Sequence, residues 1–349
     1  MVLYLSIWFF IFFFALLEIL KVQVSNKITF FIVALVLLLF AGFRYGIETD
    51  YWTYYKIFKY NITRVEPGFA YLMDLFRKRF SLSFNWFVFF IASLSISIKF
   101  FSFRKIGLSF FALFIYYSLY YINFEYNIIR QGLAASFLLI ASNYIEKKDW
   151  KKYLLFVAIA SSMHLSSLLF LPVYFIALKP IKIKSVVGII FLLAIIRIFL
   201  FSAMTTLMLD VLEANSGSVL YRYIGKAMRY LEMDMKSSID IGFIRRFVII
   251  ILFVLINGRL KINNIYFNIY LYGYMFYILF MGNAVLSNRA SASFEFFIVP
   301  MFASALKGKY ISYKTIHIYA VLAVIMLMLF ITTLLNGNAV PYQTFLNRI

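Results

Sequence analysis

Long stretches in which apolar residue follows apolar residue almost without interruption dominate this chain, and that one feature leaves few folds open. Such runs occupy residues 3–20, 28–43, 84–103, 108–122, 129–145, 186–205, 243–257, 265–285, 291–306 and 315–335, with a further stretch at 153–178. A segment this apolar belongs in hydrocarbon, where about 20 helical residues cross the roughly 30 Å core and fewer suffice where flanking groups draw the bilayer in. Backbone N–H and C=O groups find no water there, so only helices or a closed barrel can cross. A barrel needs segments of about ten residues that alternate apolar and polar, whereas these runs are continuous. The expected fold is all-α: a polytopic integral membrane helical bundle of about 10 to 12 transmembrane segments, forming a single membrane domain over 1–349. The opening run lacks a basic start and a small-residue cleavage site, so it reads as a retained span.

Composition agrees, because 64% apolar residues with only 14% charged do not describe a water-soluble surface. A formal charge of +20 would suit nucleic acid, but the placement of the 34 lysines and arginines points to topology instead. These residues collect in short cytoplasmic loops because they resist translocation. Six short connections carry Lys21 and Lys27; Arg104 and Lys105; Lys147, Lys148, Lys151 and Lys152; Lys179, Lys182 and Lys184; Arg259 and Lys261; and Lys307, Lys309 and Lys314. All six are expected inside, and no nucleic acid is expected as a partner.

An uninterrupted count of spans cannot place all six inside, because 153–178 would carry Lys179, Lys182 and Lys184 outward. The middle of that stretch reads Ser161-Ser162-Met163-His164-Leu165-Ser166-Ser167, the polar content of a broken element lining a cavity. The expectation is a re-entrant hairpin over 153–178 with His164 near its tip and both termini outside; a single tilted span is the alternative. The outward segments are then 44–83, 123–128, 206–241, 286–290 and the tail after Leu335, and they hold ten of the 14 acidic residues. The chemistry is therefore expected outside, with 44–83 and 206–241 as the two large outer loops.

In loop 44–83, aromatic rings, carboxylates and an arginine crowd together. Tyr51, Trp52 and Tyr55 offer faces suited to the C–H side of sugars, Asp50 and Glu66 offer carboxylates for hydroxyl groups, and Arg44 is expected at headgroup depth where a span ends. Tyr and Trp also gather at bilayer interfaces without any ligand. Glu66, just ahead of Pro67, can simply cap a helix over 67–80, which would lie along the interface with Arg77, Lys78 and Arg79 towards headgroups. Arg130 opens a span in which Gly132, Ala134, Ala135 and Ser136 allow close approach of a neighbour. Arg289 is expected where another span begins, beside the positive end of its helix dipole. An arginine at membrane depth usually marks a ligand or partner, and snorkelling to lipid phosphate is the plainer account.

Within 206–241, Arg222, Lys226 and Arg229 share one stripe of a helix, either a lid carrying phosphate-binding charge or an anchor for anionic lipid. Arg197 is read as pairing with Glu295. His164 brings an imidazole able to take and give a proton near neutrality, although a lone histidine on a helix is often a packing residue. No glycine-rich phosphate loop, nucleophile elbow or His-Glu-x-x-His pattern occurs. With no cysteine and two histidines, neither a thiolate site nor an all-protein zinc centre is expected, metal chemistry would have to rest on carboxylates, and no metal or cofactor is assigned.

Taken together, Phe43-Arg44-Tyr45-Gly46, Thr49-Asp50-Tyr51-Trp52-Thr53-Tyr54-Tyr55, Glu66-Pro67-Gly68-Phe69, Arg130-Gln131-Gly132-Leu133-Ala134, Met163-His164-Leu165-Ser166-Ser167-Leu168 with Pro172, and Asn288-Arg289 ahead of Phe294 and Pro300 resemble the EpsG-like branch of the Wzy polysaccharide polymerases. The resemblance implies a GT-C-like glycosyltransferase of the bacterial inner membrane. It would act at the periplasmic face, moving a glycan from one undecaprenyl diphosphate carrier onto the non-reducing end of another lipid-linked repeat unit. The product would be O-antigen of lipopolysaccharide or a related surface polysaccharide. Arg130 and Arg289, with Arg44, Arg222, Arg229 and Arg245, would hold diphosphate; Asp50, Glu66 and His164 compete for the role of base; Tyr51, Trp52 and Tyr55 would meet sugar. The partners implied are undecaprenyl-diphosphate-linked oligosaccharides, membrane lipid and a chain-length regulator. Two other classes stay open. A flippase or other transporter of lipid-linked oligosaccharide would show repeat symmetry and charge on both sides of the midplane, and a membrane acyltransferase of polysaccharides would depend on one histidine above all.

Overall fold

Helices form wherever the apolar runs lie, since each backbone group in such a run is satisfied by its own helix. The computed structural model describes residues 1–22, 27–62, 65–213, 240–257, 261–262, 264–281, 284–307 and 313–348. In chain order the helices are α1 (Val2–Ile19), α2 (Lys27–Gly42), α3 (Thr49–Tyr60), α4 (Pro67–Asp74), α5 (Phe84–Ile106), α6 (Ser109–Tyr116), α7 (Ile129–Glu146), α8 (Trp150–Met163), α9 (Val173–Ile176), α10 (Ile183–Glu213), α11 (Ile241–Asn257), α12 (Ile265–Leu279), α13 (Ala284–Glu295), α14 (Ile298–Leu306) and α15 (Tyr313–Asn336). Among the described residues, α1, α5 and the Tyr319–Asn336 stretch of α15 are long and apolar enough to cross a bilayer, and α2, Leu165–Ile176 and α12 are shorter apolar helices. The described residues are thus mostly helical, as an all-α membrane protein would be. It divides into two compact units, one built from Met1–Phe175 and Phe296–Ile349, the other from Ile176–Glu295.

In the first unit α1 packs on α6, α2 on α5, α5 on α7 and α7 on α8. Polar side chains at these contacts find partners inside the bundle, as a water-free setting demands. Trp8 donates its indole N–H to Ser118 Oγ at 2.8 Å, and Tyr121 donates to the Leu37 carbonyl at 2.6 Å. Glu18 of α1 receives the Ser109 and Phe111 N–H groups at 2.8 and 2.9 Å, and so supplies from a neighbouring helix the carboxylate that caps α6. The run 108–122 is not one helix. Beyond Tyr116 the chain widens into two π-helical turns, Tyr117–Tyr121 and Asn123–Asn127, before α7 starts at Ile129. The helix expected over 67–80 is α4 continued by a π-helical turn at Leu75–Arg79.

The stretch 153–178 doubles back. Asp149 caps α8 by accepting the Lys152 N–H at 3.1 Å, and α8 ends at His164, whose extended backbone (φ −152°, ψ 118°) breaks the helix. A short 3-10 helix, Leu165–Phe170, follows. Tyr153, near the start of α8, donates to the Phe170 carbonyl and sets its ring 5.1 Å from that of Tyr174. A continuous helix would hold positions 153 and 174 roughly 30 Å apart, so the chain turns at His164.

The tail after α15 returns to the first outer loop. Arg44 and Thr344 form an antiparallel bridge, Tyr45 N–H reaches the Gln343 carbonyl at 2.9 Å, and Phe345 N–H reaches the Phe43 carbonyl at 3.1 Å. Tyr4 donates to the Ala339 carbonyl at 3.0 Å, which ties α1 to the same tail.

In the second unit a two-residue antiparallel pairing joins Ile181–Lys182 to Lys261–Ile262. Asn264 caps α12, and Asn268 donates to the Ala177 and Lys179 carbonyls at 2.6 and 2.7 Å. Gly273 has no side chain because a Cβ there would stand 2.2 Å from Phe294 Cβ, so α12 and α13 meet backbone to side chain.

Phe345 is buried between Phe43 and Trp86, with ring centroids 5.6 and 5.9 Å away. Phe345→Ala is expected to destabilise the purified protein by about 3 kcal/mol, read as a lowered Tm in detergent; an unchanged Tm would show that the returning tail adds nothing to the unit.

Candidate functional site

Three segments far apart in sequence meet at the tip of the 150–176 hairpin. Pro67 starts α4 with its φ already helical and no N–H to leave unbonded. Glu66 therefore occupies the cap position, but its side chain makes no cap hydrogen bond and points elsewhere. Gly68 lets α4 approach the end of α8, since a Cβ there would lie 2.4 Å from Ser162 Oγ and 2.8 Å from Met163 Cε. That approach brings Glu66 to the hairpin tip. Its Oε1 accepts the Leu165 N–H at 3.2 Å and lies 3.3 Å from His164 Nδ1.

The other carboxylate oxygen, Oε2, is bonded by Arg130 Nη1 in an ion pair. Arg130 sits in the first turn of α7, and its Nε donates to the hydroxyl of Tyr54 on α3 at 3.2 Å, with the guanidinium carbon 5.5 Å from the Tyr54 ring centre. One carboxylate thus holds an arginine and an imidazole, and one tyrosine backs the arginine. The side chains are largely shielded: Glu66 is 13% exposed, His164 17% and Arg130 23%. Burial alone would raise the Glu66 pKa, but the His164 contact and the Arg130 charge outweigh it and bring the carboxyl down to about 2. Nη2 of Arg130 and Nε2 of His164 take no part in these contacts.

Asp50, the third candidate base, lies in the first turn of α3, one turn before Tyr54. Its charge suits that helix end. Tyr51 is buried, donating to Asn85 Oδ1 at 2.7 Å and packed on Phe84, while Trp52 is exposed and Tyr55 half-buried. Of the three aromatic residues, Trp52 and Tyr55 therefore present ring surface. Arg44 does not emerge at the protein surface as expected. It is 1% exposed, donates to the Ala41 carbonyl at 2.5 Å and lies over the Tyr126 ring at 5.3 Å, because the returning tail closes over it.

Arg245 and Arg289 belong to the second unit. Arg289 is exposed but lies in the middle of α13, not at a helix start, because α13 begins at Ala284, before the apolar run does. Its guanidinium is therefore not at the positive end of that helix dipole. The ion partners the structure gives Glu295 are Arg246, which bonds it through Nε at 2.7 Å and also donates to Asn288 Oδ1 at 3.0 Å, and Arg245, whose Nη2 stands 3.4 Å from the same carboxylate. Arg197 donates to the Met281 carbonyl at 2.8 Å. Arg222 and Arg229 lie outside the described residues.

Sequence reasoning passed over Tyr54, Arg246 and Lys99. Lys99, at 0% exposure, bonds Glu125 at 2.7 Å within α5's apolar run. The signal for it was available, since a lysine inside a continuous apolar run has to be paired.

Glu66→Gln is expected to destabilise the protein by about 2 to 4 kcal/mol, because Arg130 loses its counter-charge in a shielded setting. A carboxyl lowered from 4.5 to about 2 contributes stability that is complete above 4.5 and lost as pH falls through about 2. The Tm difference between wild type and Glu66→Gln should therefore stay constant from about pH 5 to about pH 8, and a difference that shrinks across that window would contradict the ion pair.

The EpsG family model matches residues 27–344, nearly the whole chain. No curated protein and no solved structure matched the chain. The match takes in both compact units and every segment that meets at the hairpin tip, and on that extent the chain belongs to the EpsG family.

Proposed function

We propose that this protein is a polysaccharide polymerase, an inverting glycosyltransferase that extends a lipid-linked glycan at the outer face of a bacterial inner membrane. Membership of the EpsG family and the apolar helices support a membrane protein of polysaccharide synthesis. The observation that carries the chemistry is the joint hold of Glu66 on Arg130 and His164.

Transfer requires the acceptor hydroxyl to lose its proton as its oxygen bonds the donor's anomeric carbon, while the bond from that carbon to the lipid diphosphate breaks and the diphosphate leaves with the electron pair. A carboxylate facing Nδ1 favours the imidazole tautomer protonated there, which leaves Nε2 to take the hydroxyl proton. Glu66 itself is a poor base, being held as a carboxylate with a pKa of about 2. Its role is to orient. Arg130, fixed through Nε and Nη1, offers Nη2 to the departing diphosphate, whose charge grows in the transition state. Exposed Trp52 and half-buried Tyr55 in the neighbouring helix offer sugar-stacking faces. The substrates are undecaprenyl-diphosphate-linked repeat units, and Arg289 and Arg245 add positive charge on the second unit.

Alanine at His164 is expected to lower polymerisation by about 10²- to 10⁴-fold, as loss of a general base does, and alanine at Arg130 by a similar order. Surface polysaccharide from cells carrying each variant, resolved on a gel, should collapse from a ladder of long chains to a single capped unit. Absence of every surface unit would point to transport instead, and unchanged ladders for both variants would remove the roles given to His164 and Arg130.

A further inference from the structure

Lys99 has no place in the chemistry above, yet it is the most completely buried cation in its unit's apolar run. Its ammonium bonds Glu125 Oε1 at 2.7 Å, Ser95 Oγ at 2.5 Å and the Gly132 carbonyl at 3.0 Å, and the rings of Tyr116, Phe124 and Phe296 stand 5.6 to 5.8 Å away. Glu125 lies on the second π-helical turn and Gly132 in the first turn of α7, so one ammonium bonds both arms of the corner between them. The corner is tight. A Cβ on Gly132 would stand 2.5 Å from the Phe124 carbonyl oxygen, and the backbone at Ile128 (φ −87°, ψ 56°) leaves the helical region between the two arms. Arg130 departs from this corner.

A buried ion pair is a weak source of stability, since desolvation offsets most of its attraction, and apolar replacements of similar volume are often tolerated. Such a pair does specify geometry, and here the geometry is the direction of α7's first turn. We propose that Lys99 is a positioning residue for Arg130: by joining Glu125 to the Gly132 carbonyl it fixes the corner from which that arginine reaches Glu66 and the substrate phosphate. The proposal rests on the polymerase reading only for the role of Arg130.

The test uses full-length protein reconstituted in vesicles, with an undecaprenyl-diphosphate-linked oligosaccharide as substrate. Wild type is compared with the apolar pair Lys99→Met/Glu125→Leu, with Glu125→Gln and with Arg130→Ala. The expected result for the apolar pair is a near-normal Tm with kcat lowered on the order of 10- to 100-fold, the effect of misplacing a catalytic group by about an ångström, and KM within about threefold. Glu125→Gln keeps an oxygen facing the ammonium and should lose less. Wild-type kcat in the apolar pair overturns the proposal while leaving the polymerase reading intact if Arg130→Ala is inactive. Should the apolar pair fail to fold, Glu125→Gln decides, assayed well below its own lowered Tm: a reduced kcat in the folded variant supports the proposal and a wild-type kcat overturns it. Full activity of Arg130→Ala would remove the role given to Arg130, and the proposal with it, while leaving the protein a polymerase.

Discussion

A carboxylate removed from water keeps its charge only if the protein supplies what water did. Glu66 receives an arginine on one oxygen, and a backbone N–H with an imidazole alongside on the other. Each donor comes from a different part of the fold: Arg130 from the start of α7, Leu165 N–H and His164 from the hairpin tip. The group that needs satisfying is thus the group that assembles the site, and α3, α4, α7 and α8 are brought into register by it. Tyr54 extends the arrangement to α3 by holding the far side of the guanidinium.

The same requirement is met at other polar groups taken into the helical units. Glu18 leaves its own helix to cap the next one. Arg246 spreads its donors over Glu295, Asn288 and the Gly242 carbonyl, and its guanidinium carbon lies 3.4 Å from the Tyr277 ring centre. Tyrosine hydroxyls reach backbone carbonyls on other segments, as at Leu37, Tyr4 and Ala339. With little hydrophobic driving force between helices in lipid, such contacts and close packing at Gly132 and Gly273 decide which helices pair.

Much of the architecture was legible because helix formation in an apolar run is a local affair. The ends of α1, α2, α5, α7 and α15 fall within a few residues of where hydropathy and the capping signals put them. The turn at His164 was legible too, because charge bookkeeping across the loops and the serine-rich middle of 153–178 both required it; the rings of Tyr153 and Tyr174 meet as a hairpin would have them. What stayed hidden depends on atoms distant in sequence. Glu66 and Arg130 are 64 positions apart, so composition suggested each separately but not their pairing. Arg44 read as a headgroup ligand because nothing local announces that residues 339–345 fold back over it. Arg289 read as a helix start because Ser287, Asn288 and Arg289 within 286–290 look like a turn, whereas they lie inside α13. The π-helical turns at Tyr117–Tyr121 and Asn123–Asn127 left no mark in hydropathy either, since widening a helix changes which residues face inward without changing how apolar they are.

The discontinuity of the first unit has a bearing on how the protein comes to exist. Met1–Phe175 and Phe296–Ile349 make one body, with Ile176–Glu295 threaded between them in the chain. During synthesis the early helices therefore enter the bilayer long before their last partners, and the Phe43–Tyr45 edge has no mate until 343–345 arrives. Domains generally fold from the N-terminus as they emerge, but here completion of the oldest part awaits the newest. Until then, the Phe43 carbonyl and the Tyr45 N–H lack the partners that 343–345 supplies, and the bridge at Arg44 is unmade.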